Sequence, residues 1–382
     1  MKLSRAALTP YRLPLLAPLE TAHGRLEERR GWLLELEADS GWVGRGDACP
    51  FPGGAGAGAF GMESWPDCGE HLEALARGLL GRDLAEREVL VRECETQAPG
   101  APGARFAVDC ALAELGALSA SRPVAAWLAE GCGREARPWL PVSALVPGAS
   151  ADEVDTQARL LRADGFETFK LKLGGRPAEA DLERVSALRG ALGEGPRIRL
   201  DANGAWTREE ARSRLAELAP LGIEFIEQPV AAEDVEGLAE LRAAGWMKIA
   251  ADESLVVPAR AEAVIDREAA DVLILKPAAL GGLSPAMRLA ERTRALGMEC
   301  CVTSLMDSAF GLTAAVHLAA SLPVDGLAHG LATASLFEFD LAPPPRADKG
   351  RLAVPLVPGW GVEAVPEDLG RAVLGEVLEM KA

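Results

Sequence analysis

Five charged residues of this chain, Lys172, Asp201, Glu227, Asp252 and Lys276, follow one another at intervals of 29, 26, 25 and 24 residues, each after a short apolar run. Three of them are carboxylates. Brought together, three carboxylates repel, and some would take up protons unless a cation neutralised them. The set is all oxygen, with no His or Cys nearby, so it selects a hard ion, Mg²⁺ before Mn²⁺, with water or substrate filling the other positions. Lys170 and Lys172 stand two apart in FKLKL at 169–173 and so face the same side of an extended strand. Two ammonium groups beside each other and beside an ion would depress a lysine pKa, freeing a neutral amine to act as base. Lys276 ends a further apolar run, 272–275. These parts fit one chemistry. A lysine removes the proton α to a carboxylate, while the ion and a second lysine offset the charge of the enediolate. The alternative use of the same residues is a structural salt-bridge network.

Such residues need a scaffold that ends one strand after another on the same side. Short apolar runs recur at 139–146, 168–173, 198–201, 225–228, 248–252, 272–276, 299–303 and 326–329, most of them separated by helix-length, Ala-rich charged stretches. This pattern predicts βα units and a parallel sheet, and eight units over about 200 residues fit a closed (β/α) barrel. The charged residues then lie at the C-terminal ends of the strands, on the face where such barrels build active sites, with Lys276 across the ring from the lysine pair. Residues 1–130 read differently. WLLELE at 32–37, Asp39-Ser40-Gly41 and Trp42-Val43-Gly44 predict a hairpin, and 104–118 carries the three- and four-residue apolar spacing of a half-buried helix. The fold class is α/β: an α+β domain over 1–130, a barrel over 131–342, and a tail over 343–382 that leaves the pattern at Pro343-Pro344-Pro345 and packs back on the first domain.

The chain has 382 residues, 49% hydrophobic and 25% charged, the balance of a globular protein and not of a disordered or fibrous one. Forty Lys and Arg against 57 Asp and Glu leave a net charge of −17, which argues against nucleic acid as a partner and confines positive potential to one site for a small anionic substrate. Seven cysteines without a CxxC pair read as free thiols of a reduced, cytoplasmic compartment. The opening MKLSRAALTPYRLPLL has no continuous apolar stretch of a secretory signal, and the uncharged stretch at 308–324 reads as a buried helix and not a membrane span. Gly56-Ala57-Gly58-Ala59-Phe60-Gly61 matches a dinucleotide-binding GxGxxG, but it follows Pro50-Phe51-Pro52-Gly53-Gly54 and not a buried strand. It reads instead as a Gly-rich loop reaching over the barrel mouth, or as an ordinary surface loop. Nothing in the sequence fixes the oligomeric state.

The stretches FKLKLG at 169–174, RLDANG at 199–204, IEQPV at 226–230, ADES at 251–254 and LKPAALGG at 275–282 resemble the enolase superfamily, whose members use a Lys base and Mg²⁺ ions for this chemistry. The double-lysine motif is similar to the muconate-lactonising subgroup, and neither His317 nor His329 sits where a mandelate-racemase-type site puts its catalytic histidine; both read as structural. Within the subgroup the likeness is greatest to the o-succinylbenzoate synthases, carried by YRLPLLAPLETAHGRLEERRGWLLELE from Tyr11, Gly46-Asp47-Ala48, FGMES at 60–64, TSLMDSAFGLTAAVHLAA at 303–320 and GLATASLF at 330–337. Asp47 and Asp307 stand where that family more often has Glu. The resemblance implies an enolase-type barrel with a capping domain built from the N-terminal region and the C-terminal tail. It implies Mg²⁺ on Asp201, Glu227 and Asp252, Lys172 as base tuned by Lys170, and Lys276 stabilising the enediolate from the other face. Arg199 and Ser304 would contact substrate. The reaction implied is loss of water to give o-succinylbenzoate in menaquinone biosynthesis. Two other functions fit the same residues: epimerisation of dipeptides or N-acylamino acids by Lys172 and Lys276 as two bases, and binding of an anion without turnover.

Overall fold

The computed structural model describes residues 1–21, 24–53, 60–323 and 326–382. β1 (Leu3–Thr21) and β2 (Gly24–Ala38) form a long antiparallel ribbon, and β3 (Val43–Ala48) pairs with β2. The β2–β3 turn is the expected one: Gly41 takes φ +84, a left-handed value that favours glycine, and its N–H closes the turn on the Ala38 carbonyl. Four helices follow: α1 (Trp65–Leu79), α2 (Arg87–Gln97), α3 (Pro102–Ser119) and α4 (Val124–Gly131). Ser64 caps α1 by accepting from the Asp67 N–H, and Pro66 sits in its first turn where no N–H is needed. The helix expected over 104–118 is α3, but it is buried on nearly all sides and not on one. Glycines of β3 let the strand approach it: a Cβ on Gly46 would meet the Ala107 carbonyl oxygen at 1.8 Å. The helix is packed between the cap sheet and the barrel.

After β4 (Trp139–Pro141), the barrel strands are β5 (Ala144–Leu145), β6 (Thr168–Lys172), β7 (Arg197–Asp201), β8 (Ile223–Glu227), β9 (Lys248–Ala251), β10 (Val272–Leu275) and β11 (Glu299–Val302). Between and after them lie α5 (Ala151–Ala163), α6 (Ala178–Leu192), α7 (Arg208–Leu218), α8 (Val235–Ala244), α9 (Pro258–Asp266), α10 (Pro277–Leu280), α11 (Leu283–Ala295) and α12 (Ala309–Ser321). Strands β5 to β11 run parallel in sequence order. Alternation along them sorts the side chains. Phe169, Leu171, Ile198, Leu200, Ile226 and Ile249 join the large core beneath the helices, while Phe225, Ala250, Val272, Ile274 and Cys301 fill the inside of the ring with Leu327.

Two expectations change. The run at 139–146 is two short strands, because β4 leaves the ring to pair antiparallel with β12 (Arg351–Ala353). The run at 326–329 forms no regular strand among the described residues. The ring closes there through single bridges, Val142 with His329 and Thr303 with Gly330. The Ala328 carbonyl, which a ladder would use, accepts instead from the Arg199 guanidinium. The tail continues through α13 (Pro366–Ala372) to β13 (Leu378–Lys381), which pairs antiparallel with β1 and so returns the chain to the first sheet. Among the described residues no helix is long and apolar enough to cross a membrane; the uncharged stretch is the buried α12.

Candidate active site

Register gathers the site. β6, β7 and β8 pair so that Lys172 lies beside Asp201 and Asp201 beside Glu227, and Asp252 follows the end of β9 directly. Asp201, Glu227 and Asp252 are 2–3% exposed. Lys170 bridges the first two, its Nζ 2.8 Å from Asp201 Oδ2 and in contact with Glu227 Oε2. Lys276, which follows β10, reaches Asp252 Oδ2 at 2.5 Å. Lys172 is exposed at the mouth, with β7, β8 and β9 between its strand and that of Lys276. The two lysines therefore stand on opposite walls.

The charges hold one another. Burial pushes the Glu227 carboxyl up to about 7, with help from Asp201 and Asp252, against the pull of Lys170. Burial also works to raise Asp201, but Lys170 and then Lys172 bring it below the ordinary carboxylate range. The expected depressed lysine is not Lys170. Burial lowers it, yet Asp201 and Glu227 outweigh that and hold its ammonium well above the usual value. Lys276 is likewise held up, by Asp252 and Glu253 against burial.

Among the described residues no three acid, His or Cys side chains already form a group around one point that could hold an ion. The donor set nevertheless fits a hard cation. Three buried carboxylates stand at the ends of adjacent strands, two ammonium groups already supply positive charge to them, and Asp252 Oδ1 is buried without a hydrogen-bond partner.

Several positioning residues are not apparent from spacing alone. Gln228, fully buried at φ +37, accepts from the Asp252 and Ser254 N–H groups at 3.1 and 3.2 Å and donates to the Val230 carbonyl and Ser254 Oγ. It fixes the backbone that carries Asp252. Asn203, at φ +46, donates its N–H to Asp201 Oδ1 at 3.0 Å and its amide to Glu253 Oε1 at 3.0 Å. The only cue for it in the sequence is Asn-Gly, a turn dipeptide tolerant of positive φ.

Arg199 is placed differently from its expected role. It is 1% exposed, donates to Glu224 at 2.5 Å and to the Ala328 carbonyl at 2.5 Å, and stacks its guanidinium over Phe225. Lying two residues before Asp201 puts it one layer deeper, where it braces the inside of the ring. Ser304 follows β11 at the mouth and shares a 2.9 Å hydrogen bond with Thr333. His317 and His329 are buried: Nδ1 of each accepts a backbone N–H, from Ala125 and Val302 respectively, and His329 Nε2 lies 3.2 Å from the Arg137 guanidinium. Asp47 accepts from Tyr11 OH and, across the cap–barrel seam, from the Ser308 N–H, while Asp307 accepts from the Leu305 N–H within its own loop. All seven cysteines are free. Of the GxGxxG stretch, residues 56–59 lie outside the described residues, while Phe60 sits with its ring 4.4 Å from Lys276 Nζ.

A parallel barrel with carboxylates and lysines on its C-terminal rim, joined to an α+β cap, defines a class of barrel enzymes. The chain matches "Enolase C-terminal domain-like" over residues 153–368 and "Mandelate racemase / muconate lactonizing enzyme, N-terminal domain" over 5–128, and it belongs to the enolase superfamily. It is 32% identical to L-Ala-D/L-Glu epimerase of Bacillus subtilis over 323 residues, 84% of this chain and 86% of that one. It is 40% identical to o-succinylbenzoate synthase of Thermobifida fusca over 211 residues, 55% of this chain and 64% of that one. The structure of a dipeptide epimerase from Enterococcus faecalis, complexed with Mg and L-Leu-L-Tyr, superimposes with a TM-score of 0.85 at 26% identity, covering 95% of this chain and 99% of that one.

Proposed function

We propose that Lys172 removes the proton α to a carboxylate of a small anionic substrate and that Lys276 faces the resulting anion from the opposite wall. The observation that carries this reading is the single layer made by Lys172, Asp201, Glu227, Asp252 and Lys276, with both lysines flanking three buried carboxylates. Asp201, Glu227 and Asp252 would hold Mg²⁺, the ion in the Enterococcus faecalis structure and the one an all-oxygen set prefers to Mn²⁺. Bound there, the ion would neutralise the substrate carboxylate and the charge that builds on it. Lys170, paired with Asp201 and Glu227, adds positive charge beside Lys172.

The reaction we propose is loss of water from 2-succinyl-6-hydroxy-2,4-cyclohexadiene-1-carboxylate, giving o-succinylbenzoate. Removing the α-proton gives an enediolate, and the neighbouring hydroxyl then leaves as water, taking up the proton that Lys172 removed, so that the ring becomes aromatic and one base suffices. Lys276 then remains an ammonium group opposite the developing charge. The 40% identity to the Thermobifida fusca synthase supports this reaction.

The second reading is epimerisation of an N-acylamino acid or a dipeptide, with Lys276 returning the proton to the opposite face. The alignment with the Bacillus subtilis epimerase along 84% of the chain favours it, and is much longer than the match to the synthase. One experiment separates the two. Chelated enzyme is reloaded with Mg²⁺ in deuterated water and given the cyclohexadiene in one arm, and a chiral N-acylamino acid and a dipeptide in the other. Dehydration with little inversion is expected. Deuterium incorporation with inversion, and no dehydration, would select the epimerase; full activity without any divalent ion would remove the metal from both.

A further inference from the structure

The far-wall lysine is touched from outside the barrel. Phe60 belongs to the cap, yet its ring face lies 4.4 Å from Lys276 Nζ. The backbone there is strained: Phe60 takes φ +55 and Gly61 φ +64, and a bulky residue in the left-handed region persists only where its surroundings impose it. Those surroundings are visible. The Phe60 ring meets the Phe51 ring edge-on at 5.4 Å, and Phe51 in turn lies under the guanidinium of fully buried Arg29, which donates to the carbonyls of Pro50, Cys49 and, across in the barrel, Met306. On the other side, Glu63 accepts from the Gly103 and Ala104 N–H groups of α3, anchoring the turn. Gly61 is pressed so close to the barrel that a Cβ would meet Val256 Cγ1 at 3.0 Å, four residues beyond Asp252.

We infer that Phe60 is a positioning residue for Lys276: its ring covers one face of the ammonium and holds it toward Asp252, so that the cap sets the aim of the far-wall lysine. This rests on the role given above to Lys276. An aromatic face attracts a cation, more strongly where water is excluded, and Leu at the same place would cover Lys276 without attracting it.

Three variants test this. Phe60→Leu should lower kcat about three- to thirtyfold with KM changed by less than about threefold, on whichever substrate the wild type turns over. Phe60→Tyr keeps a ring face and should stay within about threefold of wild type. Gly61→Ala keeps the ring but strains the turn against Val256, and should resemble Phe60→Leu. Crystal structures of the wild type and of Phe60→Leu give a readout that needs no turnover: the Lys276 ammonium should leave its wild-type position in the variant. Lys276 unmoved in Phe60→Leu, or kcat of that variant within twofold of wild type, would overturn the inference. A wild type inert towards every substrate above would instead overturn the proposed function, leaving the crystallographic comparison to decide this one.

Discussion

At the scale of single residues, the base is the most exposed of the assignments to test. Lys172 lies at the mouth, apart from Lys170, which the Asp201 and Glu227 carboxylates hold as an ammonium. The proposed base is therefore Lys172, while Lys170 is tied to the two carboxylates. Lys172→Ala should reduce kcat by about 10²- to 10⁴-fold, the usual contribution of a positioned general base. Lys172→Arg should not restore it, because a guanidinium stays protonated. Steady-state kinetics checks both, and a near wild-type rate in Lys172→Ala would shift proton removal to another amine. The sequence made this layer legible because strand ends recur at a nearly constant interval. It could not reveal Gln228, Asn203 or Phe60, whose parts depend on backbone at positive φ and on contacts between segments far apart in the chain. Arg199 shows the limit from the other side. Standing two residues before Asp201 on the inner face of β7, it lies one layer below the mouth.

At the scale of elements, alternation and helix-length gaps were enough to locate seven of the ring strands, and not the eighth, since a short Gly-flanked segment can close a barrel by single bridges. Equally hidden was how the cap is fastened. α11 begins after Gly282, which has no side chain to cap it, and the cap helix α3 supplies the missing acceptor: Asp109 receives the Ser284 N–H at 2.7 Å and Ser284 Oγ at 3.0 Å. Gly282 is needed there, since a Cβ would meet Asp109 Oδ2 at 2.5 Å. Arg87 pairs with the same carboxylate at 2.6 Å, and the Asp109 side chain is 1% exposed. Asp109→Ala would strip a helix end of its cap and leave a largely buried guanidinium without its partner, a loss of about 2–4 kcal/mol. Asp109→Asn keeps an acceptor for Ser284 and should cost clearly less. Urea unfolding of the two variants measures this; equal stability of wild type and Asp109→Ala would mean that the cap does not depend on that tie.

At the scale of the whole molecule, cap, barrel and tail meet at one buried knot. His317 of α12 accepts the Ala125 N–H of α4 on Nδ1 at 2.9 Å and pairs through Nε2 with the Trp360 carbonyl of the tail at 3.0 Å. Trp360 donates its indole N–H to the Arg45 carbonyl and its backbone N–H to Glu114, which also accepts the Arg45 N–H. A histidine that accepts on Nδ1 must be neutral, and burial lowers its pKa from 6.5 to about 4. The folded value is depressed, so the unfolded chain binds more protons between those values, and the stability His317 confers is present above pH 6.5 and lost as pH falls toward 4. Glu114 runs the opposite way. Burial lifts its carboxyl from 4.5 to about 7, so its contribution is complete below pH 4.5 and lost as pH rises through 7. From about pH 4.5 to 6.5 the two slopes cancel, and the knot itself makes the fold nearly indifferent to pH there. Removing the imidazole uncovers one slope alone. His317→Asn should be less stable than wild type at pH 7, but its deficit should shrink by about 2 kcal/mol on going to pH 5. Urea unfolding of both proteins at the two pH values checks it, and a deficit that stays constant or grows toward pH 5 would mean that His317 is not held neutral in the folded protein.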